Sequence, residues 1–151
     1  RNGQQEVEVW HLLSALIAQE NGIVPALIEE MGVGAAPIQL ALQRELKNLP
    51  KISGDINSSR SYASASLTEA VEKSQKISSE MQDDYISTEH LLLGLCSVGK
   101  PSTFKQFLKN FDLSEKKVRD TLKEIRGNQK VTNRTPENSF RALKKIWYRL
   151  G

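Results

Sequence analysis

Residues 7–16, Val-Glu-Val-Trp-His-Leu-Leu-Ser-Ala-Leu, and residues 86–95, Ile-Ser-Thr-Glu-His-Leu-Leu-Leu-Gly-Leu, are two versions of one segment. They align at a constant offset of 79 positions, share His-Leu-Leu, and carry small residues, Ala15 and Gly94, at equivalent places. After a slip of one residue, the apolar pattern of residues 27–42 recurs at 107–122. Self-similarity at a fixed offset indicates a repeated structural unit. The sequence therefore predicts two copies of one unit.

Each unit has the apolar spacing of α-helices, in steps of three and four residues. Alternation typical of strands is nearly absent. The pattern predicts an all-α fold made of two similar four-helix units and a C-terminal helix. Apolar residues that show this spacing are Leu67, Ala70, Val71, Ile77 and Met81, then Phe104, Phe107, Leu108 and Phe111.

Residues that favour helix N-caps support these helices. Ser66 has Glu69 three positions later, which is the spacing of a capping box. Ser87 and Ser114 each precede a predicted helix, and Thr135 is followed by a proline, which is common at the first helical position.

The predicted boundaries follow from the repeat and from a segment rich in Ser, Gly, Asn and Asp. Unit one covers residues 1–53, a connector loop covers 54–65, and unit two covers 66–132. A last helix covers 133–151. Unit two opens with a helix whose counterpart in unit one would precede Arg1, so we expect unit one to be truncated at its start.

Composition limits the classes of function. The 151 residues are 38% hydrophobic and 26% charged, which favours a folded, soluble domain. The one cysteine, Cys96, excludes an internal disulfide and fits a cytosolic protein, and no apolar run approaches the roughly 20 residues that span a membrane. Basic residues gather in the last third, but acidic residues lie among them, which predicts a solvated mixed face more than a nucleic-acid site.

No pattern of catalytic or metal-binding residues is present, so we predict no catalytic residue, metal or cofactor in this domain. Residues 94–100 are close to a phosphate-binding loop, but Pro101 stands where a hydroxyl should follow, and Gly94 lies inside a predicted helix. His11 and His90 lack converging ligands. Their equivalence predicts a structural role at two helix starts, where an imidazole can bond a nearby backbone or carboxylate group.

The repeat, and especially residues 81–93, Met-Gln-Asp-Asp-Tyr-Ile-Ser-Thr-Glu-His-Leu-Leu-Leu, resembles the Clp N-terminal repeat over nearly the whole chain. Residues 126–137 are similar to the junction that precedes the first ATPase module in the ClpB subtype. The chain is therefore identified as a member of the double Clp repeat domains of ClpB-type disaggregases. Two departures are Trp10, where the family usually has Glu, and the ending 146–151.

This resemblance implies a pseudo-twofold helical domain that recognises unfolded or aggregated polypeptide and passes it to a hexameric AAA+ ring. It implies ATP and Mg in the full-length protein, an Hsp70-type chaperone system as partner, and a helix at 133–151 that leads toward an ATPase module. We expect the isolated domain to be monomeric. The expected location is the cytoplasm, or an organelle if the organism is eukaryotic.

Candidate client-binding residues lie around the start of the helix expected near Thr88. Asp83 and Glu89 flank this start, where a carboxylate complements the positive helix end. The resemblance implies that both match acidic positions tied to substrate handling beside an apolar groove. Capping and client handling both stay open. The apolar candidates, each of which could instead pack in the core, are Tyr85, Ile86, Val71 and Leu93, the last because it lies off the stripe of its neighbouring leucines.

Two other functions remain open. The domain could dock adaptor proteins, as in the ClpA and ClpC types of Clp protease chaperone. It could also be a basic helical nucleic-acid-binding module, whose affinity would fall steeply with salt.

Overall fold

The computed structural model describes residues 5–49 and 61–127. Within these ranges the chain forms seven helices and two three-residue strands, so the predicted helical fold is confirmed and the strands are an addition. In chain order the elements are β1 (Gln5–Val7), α1 (Val9–Ala18), α2 (Ile23–Glu30), α3 (Ala35–Lys47), β2 (Ser61–Ala63), α4 (Ala65–Glu80), α5 (Thr88–Leu95), α6 (Ser102–Asn110) and α7 (Glu115–Arg126).

The order of helices follows the internal repeat. α1, α2 and α3 occupy the positions that correspond to α5, α6 and α7, while α4 has no counterpart among the described residues. The unit boundaries stay predictions. The helix predicted at 133–151, its Thr135 cap and most of the 54–65 connector lie outside the described residues.

The two strands pair in parallel, with Glu6 opposite Tyr62 and Val7 opposite Ala63. The Ser64 N–H continues the pairing by donating to the Val7 carbonyl at 2.9 Å. β2 therefore lies inside the segment predicted as a connector loop, and that part of the prediction is wrong. Three residues are too few for strand alternation to be visible in a sequence.

Two of the predicted helix caps are confirmed and one is wrong. Ser87 precedes α5, and the hydroxyl of Ser114 accepts the Lys117 N–H at the start of α7. α4 is capped by Ser64, whose Oγ accepts the Leu67 N–H at 3.0 Å, and Ser66 lies within the helix. Ser64 has the extended backbone that an N-cap needs, because it directly follows β2.

Three helices end in the same way, with a residue in the left-handed region two positions after the helix. These residues are Gly32 after α2, Gln82 after α4 and Asp112 after α6, with φ of 81°, 60° and 59°. In each case the next N–H turns back to a carbonyl in the last turn, as in a Schellman motif. The motif after α4 places Asp83, whose N–H donates to the Ser78 carbonyl at 3.0 Å.

α5 is the central helix of the described core. All eight of its residues are buried, and it packs closely along α4. Gly94 permits this approach, because a Cβ at that position would lie 2.2 Å from the Ala70 carbonyl oxygen. Small residues on α4, Ala70 and Ser74, face it. A helix that is buried all round has no solvent-facing stripe.

Trp10 links the two units through aromatic contacts. It is 5% exposed, and its ring meets Phe104 and Phe107 edge-on at centroid distances of 5.0 and 5.2 Å. Such T-shaped pairs add about 0.5–1.5 kcal/mol beyond the burial of apolar area. The residue that departs from the family pattern is thus part of the shared core.

Candidate functional site

The two histidines start two helices in the same manner. Nδ1 of His11 accepts the Glu8 N–H at 2.8 Å, and Nδ1 of His90 accepts the Ser87 N–H at 2.8 Å. A backbone N–H can only donate, so Nδ1 is unprotonated in both rings and the proton of each neutral imidazole lies on Nε2. The geometry of both histidines agrees with the structural role that their equivalence in the repeat predicts.

The surroundings of the two rings differ. Burial lowers the pKa of the half-buried His11. His90 is fully buried, and its Nε2 lies 2.6 Å from Oδ2 of Asp83. The Nε2–H therefore donates to that carboxylate, and the histidine joins the start of α5 to the end of α4.

Asp83 is the centre of a buried charged network. Its side chain is fully buried and receives the guanidinium of Arg126 at both oxygens, Nη2 to Oδ1 at 2.5 Å and Nη1 to Oδ2 at 3.0 Å. The hydrogen bond to Asp83 raises the pKa of Arg126, and the nearby charge of Glu89 adds to this. Bidentate pairs of this kind are among the stronger charge-assisted hydrogen bonds.

Glu89 also belongs to this buried region. It is 2% exposed, lies in the first turn of α5 and accepts a hydrogen bond from the Ser87 hydroxyl. The capping interpretation of Glu89 agrees with this geometry, because a carboxylate at a helix start offsets its positive end. Its client-binding role stays a prediction.

The apolar candidates are not equally accessible. Tyr85 and Ile86 are half-buried, and both lie on the loop between α4 and α5. Val71 is also half-buried, but it lies nine residues before the end of α4, which is about 13.5 Å along the helix at 1.5 Å per residue. Leu93 is 0% exposed, so its expected place on an open groove is wrong. The reason is that α5 is enclosed on all sides.

The role of Arg126 could not be predicted from the sequence, because this residue stands among basic residues that are expected on a solvated mixed face. The rest of the described basic segment has the expected mixed face. Lys116 pairs with Asp120 at 3.0 Å, Arg119 pairs with Glu115 at 2.9 Å, and Lys117 pairs with Asp112.

A cavity of about 230 Å³ lies at the end of α5. It is lined by Cys96, Leu108, Leu113, Lys105, Lys109 and neighbouring residues at the start of α7. Burial raises the pKa of the Cys96 thiol to about 12, and the charge of Glu115 contributes. A thiol with so high a pKa is a poor nucleophile, which agrees with its predicted role as a small core residue.

No group of three or more His, Cys, Asp or Glu that could hold a metal ion occurs in residues 5–49 and 61–127. In the same ranges no single helix is long and apolar enough to cross a membrane, and only α1 and α2 taken together, bent by 86°, reach the required length and composition.

Comparison with known proteins decides the family. Residues 1–111 match the family described as the Clp repeat (R) N-terminal domain. The chain belongs to this family. The Clp repeat domain described here is 34% identical to a chaperone protein ClpB of Clostridium tetani over 93% of its length, and 35% identical to one of Nitratidesulfovibrio vulgaris over 96%. A chloroplastic relative, ClpB3 of Arabidopsis thaliana, is 31% identical over 95% of the chain.

The chain spans only 16%, 17% and 14% of the length of these three relatives. Among solved structures, the Clp repeat domain is similar to the Hsp104 N-terminal domain from Candida albicans. The TM-score is 0.71 at 20% identity, with 89% of this chain and 85% of the other covered. This likeness confirms the fold.

Proposed function

We propose that this domain captures unfolded or aggregated polypeptide for an AAA+ protein disaggregase of the ClpB type. Support comes from the Clp repeat family and from relatives named as ClpB chaperones. In this proposal the domain contributes recognition, and the chemistry of ATP hydrolysis belongs to the ATPase modules of a full-length protein.

The observation that carries the proposal is the loop between α4 and α5. Tyr85 and Ile86 are adjacent, apolar and only half-buried, while hydrogen bonds hold the loop at both ends. An apolar contact presented on a fixed backbone loses little entropy when it binds. Two such side chains suit weak, sequence-tolerant binding of an extended client.

The full-length protein, in this proposal, is a hexamer that uses ATP and Mg and works with an Hsp70-type chaperone system in the cytoplasm or in an organelle. These properties rest on the resemblance to ClpB proteins and not on contacts within the described residues.

A binding titration tests the proposal. The domain is titrated with a permanently unfolded, apolar-rich test protein and with duplex DNA, each at low and at high salt. We expect binding of the unfolded protein that changes little with salt, and a weaker affinity for Ile86→Ser. Leu40→Ser is the matched control, because Leu40 is an apolar residue of α3 that is 55% exposed and far from the loop in sequence.

Two outcomes would contradict the proposal. The first is an absence of binding to the unfolded protein. The second is DNA binding that falls steeply with salt, which would favour the nucleic-acid alternative, since counterion release produces that dependence. The ion pairs along α7 speak against this alternative, because they neutralise much of the basic face. Adaptor docking stays a prediction for this family.

A further inference from the structure

The loop at residues 82–87 is fixed by three contacts besides those of Asp83's carboxylate. The Asp83 N–H donates to the Ser78 carbonyl at 3.0 Å, and the Ser78 hydroxyl donates to the Tyr85 carbonyl at 3.2 Å. At the other end, the Ser87 N–H donates to His90 at 2.8 Å. The backbone that carries Tyr85 and Ile86 is therefore tied to α4 and to α5.

Both oxygens of the Asp83 carboxylate are engaged inside the protein. Arg126 binds the two oxygens, and His90 donates to one of them. The Asp83 side chain is 0% exposed, and that of Arg126 is 10% exposed. A client could reach this carboxylate only after the ion pair had opened, which would leave a buried charge without its partner.

Arg126 comes from a distant part of the chain. It is the last residue of α7, 43 positions after Asp83, and the next residue, Gly127, donates its N–H to the Lys123 carbonyl at 2.8 Å. The pair therefore joins the loop after α4 to the point where the chain leaves α7.

We infer that Asp83 and Arg126 are positioning residues. Together they hold the loop that presents Tyr85 and Ile86 and fix the last turn of α7, and Asp83 makes no direct contact with the client. The predicted effect on client binding rests on the proposed function. The coupling between the loop and the end of α7 rests only on the ion pair between Asp83 and Arg126.

Two measurements on the whole domain test it. The first is the affinity for the permanently unfolded test protein in Asp83→Ala, Arg126→Ala and the double variant. Coupled residues give non-additive effects. We expect each single change to weaken binding by a factor on the order of five or more, and the double change to be no weaker than the worse single change.

The second measurement is amide hydrogen exchange. We expect Arg126→Ala to accelerate exchange at the amides of Asp83 and Ser87, although the substitution is on another helix. The matched control is Lys116→Ala, also on α7, whose partner Asp120 is 56% exposed and lies on the same helix. This control should leave the exchange of the loop unchanged. Asp83→Asn, which keeps the shape of the side chain, serves if an alanine variant loses its helicity.

The outcomes separate the two ideas. If the wild-type domain does not bind the unfolded protein, the proposed function fails, and hydrogen exchange still tests the coupling. If Arg126→Ala leaves loop exchange unchanged, the positioning role is overturned. It is also overturned if Asp83→Ala weakens binding while Arg126→Ala does not, because Asp83 would then act on the client directly.

Discussion

Gly94→Ala tests the close packing of α5 on α4. On an exposed helix this substitution would stabilise the fold by about 1 kcal/mol, because alanine favours helix more than glycine does. Here the new Cβ would lie 2.2 Å from the Ala70 carbonyl oxygen, whereas ordinary contacts begin at 3.4 Å. The helices would have to separate by about 1.2 Å, the difference between these two distances. We therefore expect Gly94→Ala to lower the free energy of unfolding instead of raising it.

The expected loss of stability follows from overpacking, which typically lowers the free energy of unfolding by about 1–3 kcal/mol. The upper part of that range applies, because the atom that the Cβ meets belongs to the backbone. For a domain of this size such a loss lowers the midpoint of thermal unfolding by about 5–10 °C. Circular dichroism at 222 nm, in heat and in urea, measures both quantities.

Gly99→Ala is the matched control, because a Cβ at Gly99 has no atom within 4 Å. Its free energy of unfolding should stay within about 0.5 kcal/mol of the wild type. If Gly94→Ala is as stable as the wild type or more stable, the close approach of α5 to α4 is refuted.

Three further substitutions or treatments have defined outcomes. Trp10→Ala should lower the free energy of unfolding in urea by about 3–5 kcal/mol, as for other buried aromatic residues, and a loss below 1 kcal/mol would contradict its place in the core. Because burial lowers the pKa of His11, the unfolded chain binds more protons than the folded domain, so stability should fall as the pH drops below about 6.5. His11→Gln keeps an acceptor for the Glu8 N–H but cannot take up a proton in this range, so the free energy of unfolding should depend less on pH between about pH 7 and 5.5. If the slope of the free energy of unfolding against pH is unchanged in this variant, His11 is not the source of the pH dependence. Because the pKa of the Cys96 thiol is raised, little thiolate forms at pH 8, so iodoacetamide should alkylate Cys96 slowly in the folded domain and at an ordinary rate in urea. Equal rates would show that the pKa of this thiol is not raised by folding.

Features with a local cause could be predicted from the sequence. The caps at Ser87 and Ser114 and the role of the two histidines depend on residues within three positions of each other. The same holds for the helices, whose spacing is visible within one or two turns. The repeat then supplied the order of the elements without any knowledge of long-range contacts.

Features that depend on distant residues could not be predicted. The ion pair between Asp83 and Arg126 joins positions 43 apart, and nothing near Arg126 distinguishes it from the exposed basic residues around it. β1 and β2 likewise form only because the chain brings them together. The prediction that Leu93 lies on a groove is wrong because it assumes that α5 has an exposed side. An apolar stripe indicates which side of a helix is exposed only where part of that helix faces solvent, and α5 is buried on all sides.

The paired histidine caps show what the two halves share and where they differ. Each half starts a helix with an imidazole, but the residue just before the ring is not the same. In the first half it is Trp10, which packs edge-on against Phe104, and in the second half it is Glu89, whose charge adds to the effect of Asp83 in raising the pKa of Arg126. Trp10→Glu would place a carboxylate among aromatic rings. Glu89→Trp would remove a negative charge that stabilises the positively charged form of Arg126. These two positions are therefore not interchangeable, although they are equivalent in the repeat.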